Sequence, residues 1–230
     1  IKTILKMINE NTYLKSHTKF TDKIIYKKRL EIISIIKEEL KNNNLKDILD
    51  IGTTVDISES SNLIIKSLKN FEKYKSISDQ KIISNLFSKS LQKSITQEFS
   101  SNEIDIYRSD VVISNATIEH VGSYEKQLKM IENIIKLSKK IFVVVTPNRM
   151  HPIEFHSKIP FIHWLPKKLH RKILSIFGLK YLSKEENLNL LKKIDLIHLM
   201  KKFNNVDYDL KYVNFLLFKS NIILIGKKKI

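Results

Sequence analysis

Apolar residues along this chain follow two rhythms. Between 24 and 40 they recur three and four positions apart, as Ile24, Ile25, Ile32, Ile33, Ile36 and Leu40 with Lys and Glu between them. That is the period of an amphipathic helix. The same period returns at 124–137, with Leu128, Ile131, Ile134, Ile135 and Leu137. Elsewhere the apolar runs are short and unbroken: Ile48, Leu49 and Ile51, then Val111, Val112 and Ile113, then 141–145 and 222–225. A β-branched run bounded by polar residues, with no alternation, reads as a strand covered on both faces. In order, the pattern predicts a helical segment over 1–40 and a strand at 48–51. A helix follows, with Ser58 or Ser60 as N-cap and Leu63, Ile64 and Leu68 on one face. Next come a strand at 74–78, a helix at 81–87, a short strand at 94–96, a strand at 111–114, the helix at 124–137 and a strand at 141–146. An insertion spans 151–181, a helix 183–203, and two strands at 207–213 and 221–225 close the chain as an antiparallel edge pair. Strands alternating with helices imply an α/β doubly wound, mostly parallel sheet with an antiparallel last strand, N-terminal helices and a helical lid insertion. The division expected is a helical segment over 1–45 and one domain over 46–230, with the lid at 151–182.

Composition narrows this only a little. The chain has 230 residues, enough for one sizeable core, and no Cys, which excludes disulfides and thiolate metal sites. No apolar run approaches the roughly 18 residues of a membrane span, and the expected location is the cytoplasm. The formal charge of +17 favours anionic partners, but Lys, Ile and Asn are abundant throughout and the lysines are scattered, as codon bias toward AT-rich sequence would also produce.

Candidate chemistry gathers at the ends of the expected strands, where open parallel sheets bind ligands. The first strand ends in Asp50-Ile51-Gly52, and a glycine there lets a ligand approach the backbone. The G-x-G-x-x-G of a dinucleotide site is absent, because Gly52 is followed by Thr53, Thr54, Val55 and Asp56. Asp79 follows the second strand and is suited to hold a ribose diol, or else to cap the next helix. Asn115, Ala116 and Thr117 end the strand at 111–114, followed by Glu119 and His120 side by side.

Together, D-I-L-D-I-G at 47–52, Asp79, D-V-V-I-S-N-A-T-I-E-H-V at 110–121 and I-F-V-V-V-T-P-N at 141–148 resemble a class I S-adenosylmethionine-dependent methyltransferase with a Rossmann-like sheet. The "EHV" and "TPN" are similar to those of the ubiquinone-biosynthesis-like branch, which acts on small molecules and glycans. F-H-S-K-I-P-F-I-H-W-L-P at 155–166 is similar to a substrate-side insertion in some bacterial members. The resemblance runs from about residue 46 to 227. It implies S-adenosylmethionine as cofactor, with Asp50, Gly52 and Thr53 at its methionine end, Asp79 on the ribose, and Asn115, Ala116 and Thr117 near the sulfonium. Glu119 and His120 would border the methyl-transfer space. His120 is the first candidate for a general base, since an imidazole is well tuned near neutral pH, with His151 and His156 next. The first loop departs from the family's G-x-G-x-G.

The insertion carries His151, His156, His163, Trp164 and three prolines. A long insertion of this kind is usually a lid or binding loop, so these four residues are expected to face the acceptor. The spacing of His151, Glu154 and His156 is not diagnostic of a metal site, and none is expected. Lys167, Lys168, Arg171 and Lys172 alternate with Leu169, Ile173, Leu174 and Phe177, which suits a helix packed on the domain or one lying on an anionic membrane surface. The activity expected is methyl transfer to a small-molecule or saccharide acceptor, at oxygen. The alternatives are an RNA methyltransferase, disfavoured because no RNA-binding module is evident, and a degenerate, non-catalytic binding protein.

Overall fold

A computed structural model describes residues 19–41, 43–55 and 61–229. The elements are α1 (Lys19–Leu40), β1 (Asp47–Ile51), α2 (Leu63–Ser67), β2 (Lys73–Ser78), β3 (Lys89–Gln92), α3 (Ser101–Tyr107), β4 (Ser109–Asn115), α4 (Tyr124–Leu137), β5 (Ser138–Pro147), α5 (Lys167–Ile176), α6 (Lys193–Met200), β6 (Val206–Phe215) and β7 (Phe218–Lys228). Short 3₁₀ turns occupy Ile118–His120 and Ile162–Trp164.

The seven strands form one sheet in the order β3-β2-β1-β4-β5-β7-β6. The first five run parallel. β7 runs antiparallel to both of its neighbours, so it is the single reversed strand. This is the doubly wound sheet that the apolar runs imply. Successive side chains point to opposite faces, and each face has its own core. Leu49, Ile51, Val112, Phe142 and Val144 meet Met130, Ile131 and Ile134 of α4 and Leu196 and Leu199 of α6. Ile48, Val111, Ile113, Val143 and Val145 meet Ile32, Ile33 and Ile36 of α1 and Ile64 and Ile65 of α2. α1 therefore covers a face of the sheet. No helix among the described residues is long and apolar enough to cross a membrane.

Several boundaries differ from the sequence expectation, each for a physical reason. Residues 81–87 form turns and loop, and β3 lies at 89–92 while 94–96 is a turn. This edge strand, K-S-L-Q, is mostly exposed and carries no apolar signature. α3 was not expected. It is started by a capping box, in which the Ser100 side chain accepts from the Glu103 N–H and Glu103 reaches back to the Ser100 N–H. Of 183–203 only 193–200 is helical. Leu188, Leu190 and Leu191 are buried without being in a helix. α2 begins after Asn62, which makes no side-chain cap. Ser58, Ser60 and residues 1–18 lie outside the described residues.

Gly226 shows how tightly one face is packed. It sits opposite Phe142 in the β5–β7 ladder, and a Cβ there would lie 2.1 Å from the Phe142 ring. We expect Gly226→Ala to cost about 1–3 kcal/mol of stability from overpacking. In a Phe142→Leu background the cost should fall to less than half. Equal costs in both backgrounds, read from denaturant midpoints, would contradict this packing.

Candidate functional site

The carboxyl ends of β1, β2 and β4 are locked together by polar contacts. Gly52 follows β1 with φ +83, and a Cβ on it would meet Thr117 Oγ1 at 2.1 Å. Its N–H donates to the Ile77 carbonyl at 2.9 Å. Thr117 in turn donates to the carbonyls of Asn115 at 3.2 Å and Ile51 at 3.4 Å. Ala116 turns the chain after β4 with φ 52, and its N–H donates to the Val145 carbonyl at 2.8 Å. Thr53 is buried, with its hydroxyl donating to Asp50 Oδ2 at 2.6 Å and its carbonyl accepting from Ser78 at 2.7 Å. Asn62 clamps Thr54 through both its N–H and its carbonyl, at 3.1 and 2.9 Å. The hydroxyls of Thr53 and Thr117, both expected at the cofactor, hydrogen-bond within these loops.

Two carboxyls flank this cradle. Asp50 is buried, and burial pushes its pKa up to about 6 against the pull of the Thr53 hydroxyl. Asp79 is exposed just past β2, with its carboxylate touched by the Ser78 hydroxyl only at 3.5 Å. The neighbouring Gln80 accepts from the Val55 N–H at 3.2 Å, tying the two loops together.

The turn after β4 holds Glu119 and His120. Glu119 is fully buried. Its Oε2 accepts from the Thr146 hydroxyl at 2.9 Å, while its Oε1 has no hydrogen-bond partner among the described residues and stands 3.9 Å from His120 Nε2. His120 Nδ1 donates to the Asn187 carbonyl at 2.6 Å, since a carbonyl can only accept. Burial lowers the His120 pKa, outweighing the pull of Glu119 in the other direction. From the lid, His156 meets His120 edge to face with ring centroids 4.9 Å apart. Burial opposes charge on His156, yet the hydrogen bond from its Nδ1 to Glu154 Oε1 at 2.5 Å and the charge of Glu154 raise its pKa overall. Burial would raise the Glu154 carboxyl too. The His156 ring and the N–H groups of Ser157 and His156 reverse this and hold it at about 2. Gln127 and Asn189 strap the turn. Gln127 Nε2 donates to the carbonyls of Ile118 and Asn189, and Asn189 donates to Glu119 and Gly122.

The other histidines of the insertion and Trp164 have different surroundings. The ring nitrogens of His151 are occupied by the backbone of Ile153 and Phe215, and its ring stacks on Phe155 and Phe215. His163 is buried and donates from Nε2 to the His151 carbonyl at 2.6 Å. Its own carbonyl accepts from Arg149 Nε. Both histidines are buried and bond to backbone. Trp164 is exposed, with Phe161 against it at 5.0 Å. α5 buries His170 and Leu174, and Leu174 packs with Leu179, Leu182, Leu188 and Leu190, while Leu169, Ile176 and Phe177 remain exposed. Asn187, Asn189, Gln127 and Thr146 escaped sequence reasoning. Only Thr146, in T-P-N, stood in a segment already singled out.

A surface depression of about 670 Å³ lies elsewhere. It is lined by Lys37, Lys41, Lys66, Lys69 and Phe71 at the amino edge of the sheet, where none of this chemistry stands.

No protein-family model and no curated protein matches the chain. Solved structures do. The magnesium protoporphyrin IX methyltransferase of Synechocystis PCC 6803 with bound SAH superposes with TM-score 0.55 at 11% identity, covering 94% of this chain and 91% of that one. The 1,6-didemethyltoxoflavin-N1-methyltransferase of Burkholderia thailandensis, bound to 1,6-didemethyltoxoflavin and S-adenosylhomocysteine, gives TM-score 0.56 at 9% identity, covering 99% and 88%. The small RNA methyltransferase HEN1 gives 0.57 at 12% identity over 87% of this chain, but only 25% of its own length. The fold is thus the Rossmann-like methyltransferase fold.

The buried Asp50 gives a pH signature. Its pKa is about 6 in the folded chain against 3.8 for an ordinary Asp. The folded state therefore binds its proton more tightly, and the stability this confers is complete below about pH 4 and lost as pH rises through about 6. Asp50→Asn, which keeps an acceptor for Thr53, should leave the chain more stable at pH 7 by roughly 2–3 kcal/mol. The advantage should vanish near pH 4. A difference in melting temperature that does not change with pH would contradict the assignment.

Proposed function

We propose that the chain is an S-adenosylmethionine-dependent methyltransferase acting on an oxygen of a small-molecule or saccharide acceptor, of the ubiquinone-biosynthesis-like branch. One observation carries the reading. A loop with a glycine at positive φ, two carboxyls spent on no ion pair among the described residues, and a buried Glu-His pair converge at the carboxyl ends of β1, β2 and β4. That is where an open parallel sheet takes its ligand.

The residues fit the cofactor. Gly52 is exposed at this end of the sheet, and its missing Cβ gives room to Thr117, which shapes the surface the cofactor would meet. Asp50, whose ionisation is costly where it lies, supplies a negative charge that a cation nearby stabilises. Asp79 stands exposed to accept from a ribose diol, and Asn115 and Ala116 line the turn between the two loops. Thr53 and Thr117 act indirectly by holding this shape. The cofactor supplies a methyl group on a sulfonium, already a good leaving group. The chain's task is then to align the acceptor in line and exclude water. Glu119 and His120 act on the acceptor's proton, and the exposed Phe161–Trp164 pair offers an aromatic shelf for an apolar or sugar ring.

Two variants test the roles separately. Asp79→Ala should weaken S-adenosylhomocysteine binding by about 1–3 kcal/mol through lost charged hydrogen bonds; unchanged affinity removes Asp79 from the site. His120→Ala should leave that affinity intact and slow methyl transfer to a responsive acceptor by about 10²–10⁴-fold. Near-normal turnover would reduce His120 to a wall residue. Glycan, nucleotide-sugar, small-phenol and RNA acceptors belong in the same screen.

A further inference from the structure

We propose that the chain forms a two-fold symmetric dimer through β6, whose open edge pairs antiparallel with β6 of a second copy, centred on Leu210. The proposal stands apart from the methyltransferase reading and uses none of the candidate site residues.

β6 is ten residues long and ends the sheet. The other edge strand, β3, has four. An exposed edge is a row of backbone groups ready to take another strand, and proteins often blunt it with a proline or a bulge. β6 contains no proline, and its pairing with β7 is regular from Val206 to Val213. Hydrogen bonds identify the residues that face outward. The Asn205 carbonyl accepts from the Lys229 N–H, and the Ser220 carbonyl accepts from the Asn148 N–H on the β5 side. Backbone groups alternate in direction along an antiparallel pair. Odd-numbered residues of β6 therefore bond to β7, and Tyr208, Leu210 and Tyr212 turn their N–H and C=O groups to the open edge. The Leu210 N–H agrees: it donates at 2.7 Å to the side chain of Asp209. A side chain of the same strand stands in for the acceptor that a neighbouring strand would supply.

Charge selects the register. A symmetric antiparallel pair centres on one residue, and like charges directly opposite are destabilising. Centred on Tyr208, Asp207 would oppose Asp209 of the partner subunit. Centred on Asp209 or on Lys211, that residue would meet its own like charge. Centred on Tyr212, no opposite charges meet and the overlap is shorter. Centred on Leu210, Asp209 lies opposite Lys211 of the partner subunit, twice by symmetry, and Tyr208 lies opposite Tyr212 of the partner subunit. This register exchanges about six backbone hydrogen bonds. Asp209 has no ion pair among the described residues, whereas Lys211 pairs with Glu39 of α1. Lys227 stands 3.2 Å from the same Glu39 and keeps it paired when Lys211 is shared with the second copy. The contact is isologous, so it closes at two and leaves only the short β3 edges free.

The test is sedimentation of the full chain over a range of concentrations. A strand-edge interface is small, so the expected result is a reversible monomer–dimer equilibrium with Kd of about 1–50 μM. Leu210→Pro removes an outward N–H and no bond between β6 and β7, and should weaken the dimer about tenfold or more. Asp209→Lys and Lys211→Glu, each alone, put like charges opposite and should stay monomeric. Mixed in equal amounts, the two variants should form a heterodimer, because both opposite-charge pairs return. Circular dichroism checks that each variant is folded. If Lys211→Glu is not, Leu210→Pro and Asp209→Lys decide. A wild-type monomer up to about 200 μM, a dimer indifferent to Leu210→Pro, particles larger than dimers, or a mixture of folded variants that stays monomeric overturns the proposal.

Discussion

The close approach of Gly52 to Thr117 sets the shape of the ligand end of the sheet. A single Cβ at position 52 would lie 2.1 Å from the Thr117 hydroxyl. The loop after β1 and the turn after β4 can interlock only because that atom is missing and because the Gly52 backbone takes a positive φ that other residues avoid. Everything placed on those loops inherits the constraint. Asp50 is sealed beneath Thr53, Ala116 is drawn to β5, and Glu119 arrives beside Thr146. The G-x-G-x-G pattern has its second glycine where this chain has Thr54, directly after Thr53. Their bulk is accommodated by turning Thr53 inward and clamping Thr54 with Asn62.

The histidines of the insertion differ in what they meet. His151 and His163 bond to backbone and hold the insertion together. His156 alone reaches the turn after β4, and it brings Glu154 with it. The residue types at 151, 156 and 163 are identical, so only their partners distinguish them. Those partners, Phe215, Glu154 and the His151 carbonyl, lie from 2 to 64 positions away in the chain.

How much the sequence revealed follows from the same distinction. α4 was legible to the residue, because its apolar stripe is regular and Ser123 caps its start. The central strands were legible because burial on both faces forces unbroken β-branched runs. β3 was hidden because an exposed edge strand needs no apolar residues. Residues 81–87 misled for the opposite reason: their spacing suits a helix, but nothing packs Ile83, which is 86% exposed. At the site, the residue types at Asp50, Gly52, Asp79, Glu119 and His120 could be read from strand ends. The roles of Thr53, Thr117 and His151, and the contributions of Asn187, Asn189 and Gln127, depend on contacts across the fold that no local pattern records.

The most direct test of the account is hydrogen–deuterium exchange of the full chain with and without S-adenosylhomocysteine. The account predicts protection confined to the ends of β1, β2 and β4, around residues 50–55, 78–80 and 115–121. No protection anywhere, or protection at the lysine-lined depression near Lys37 and Phe71, would contradict the assignment of the ligand site to the carboxyl edge of the sheet.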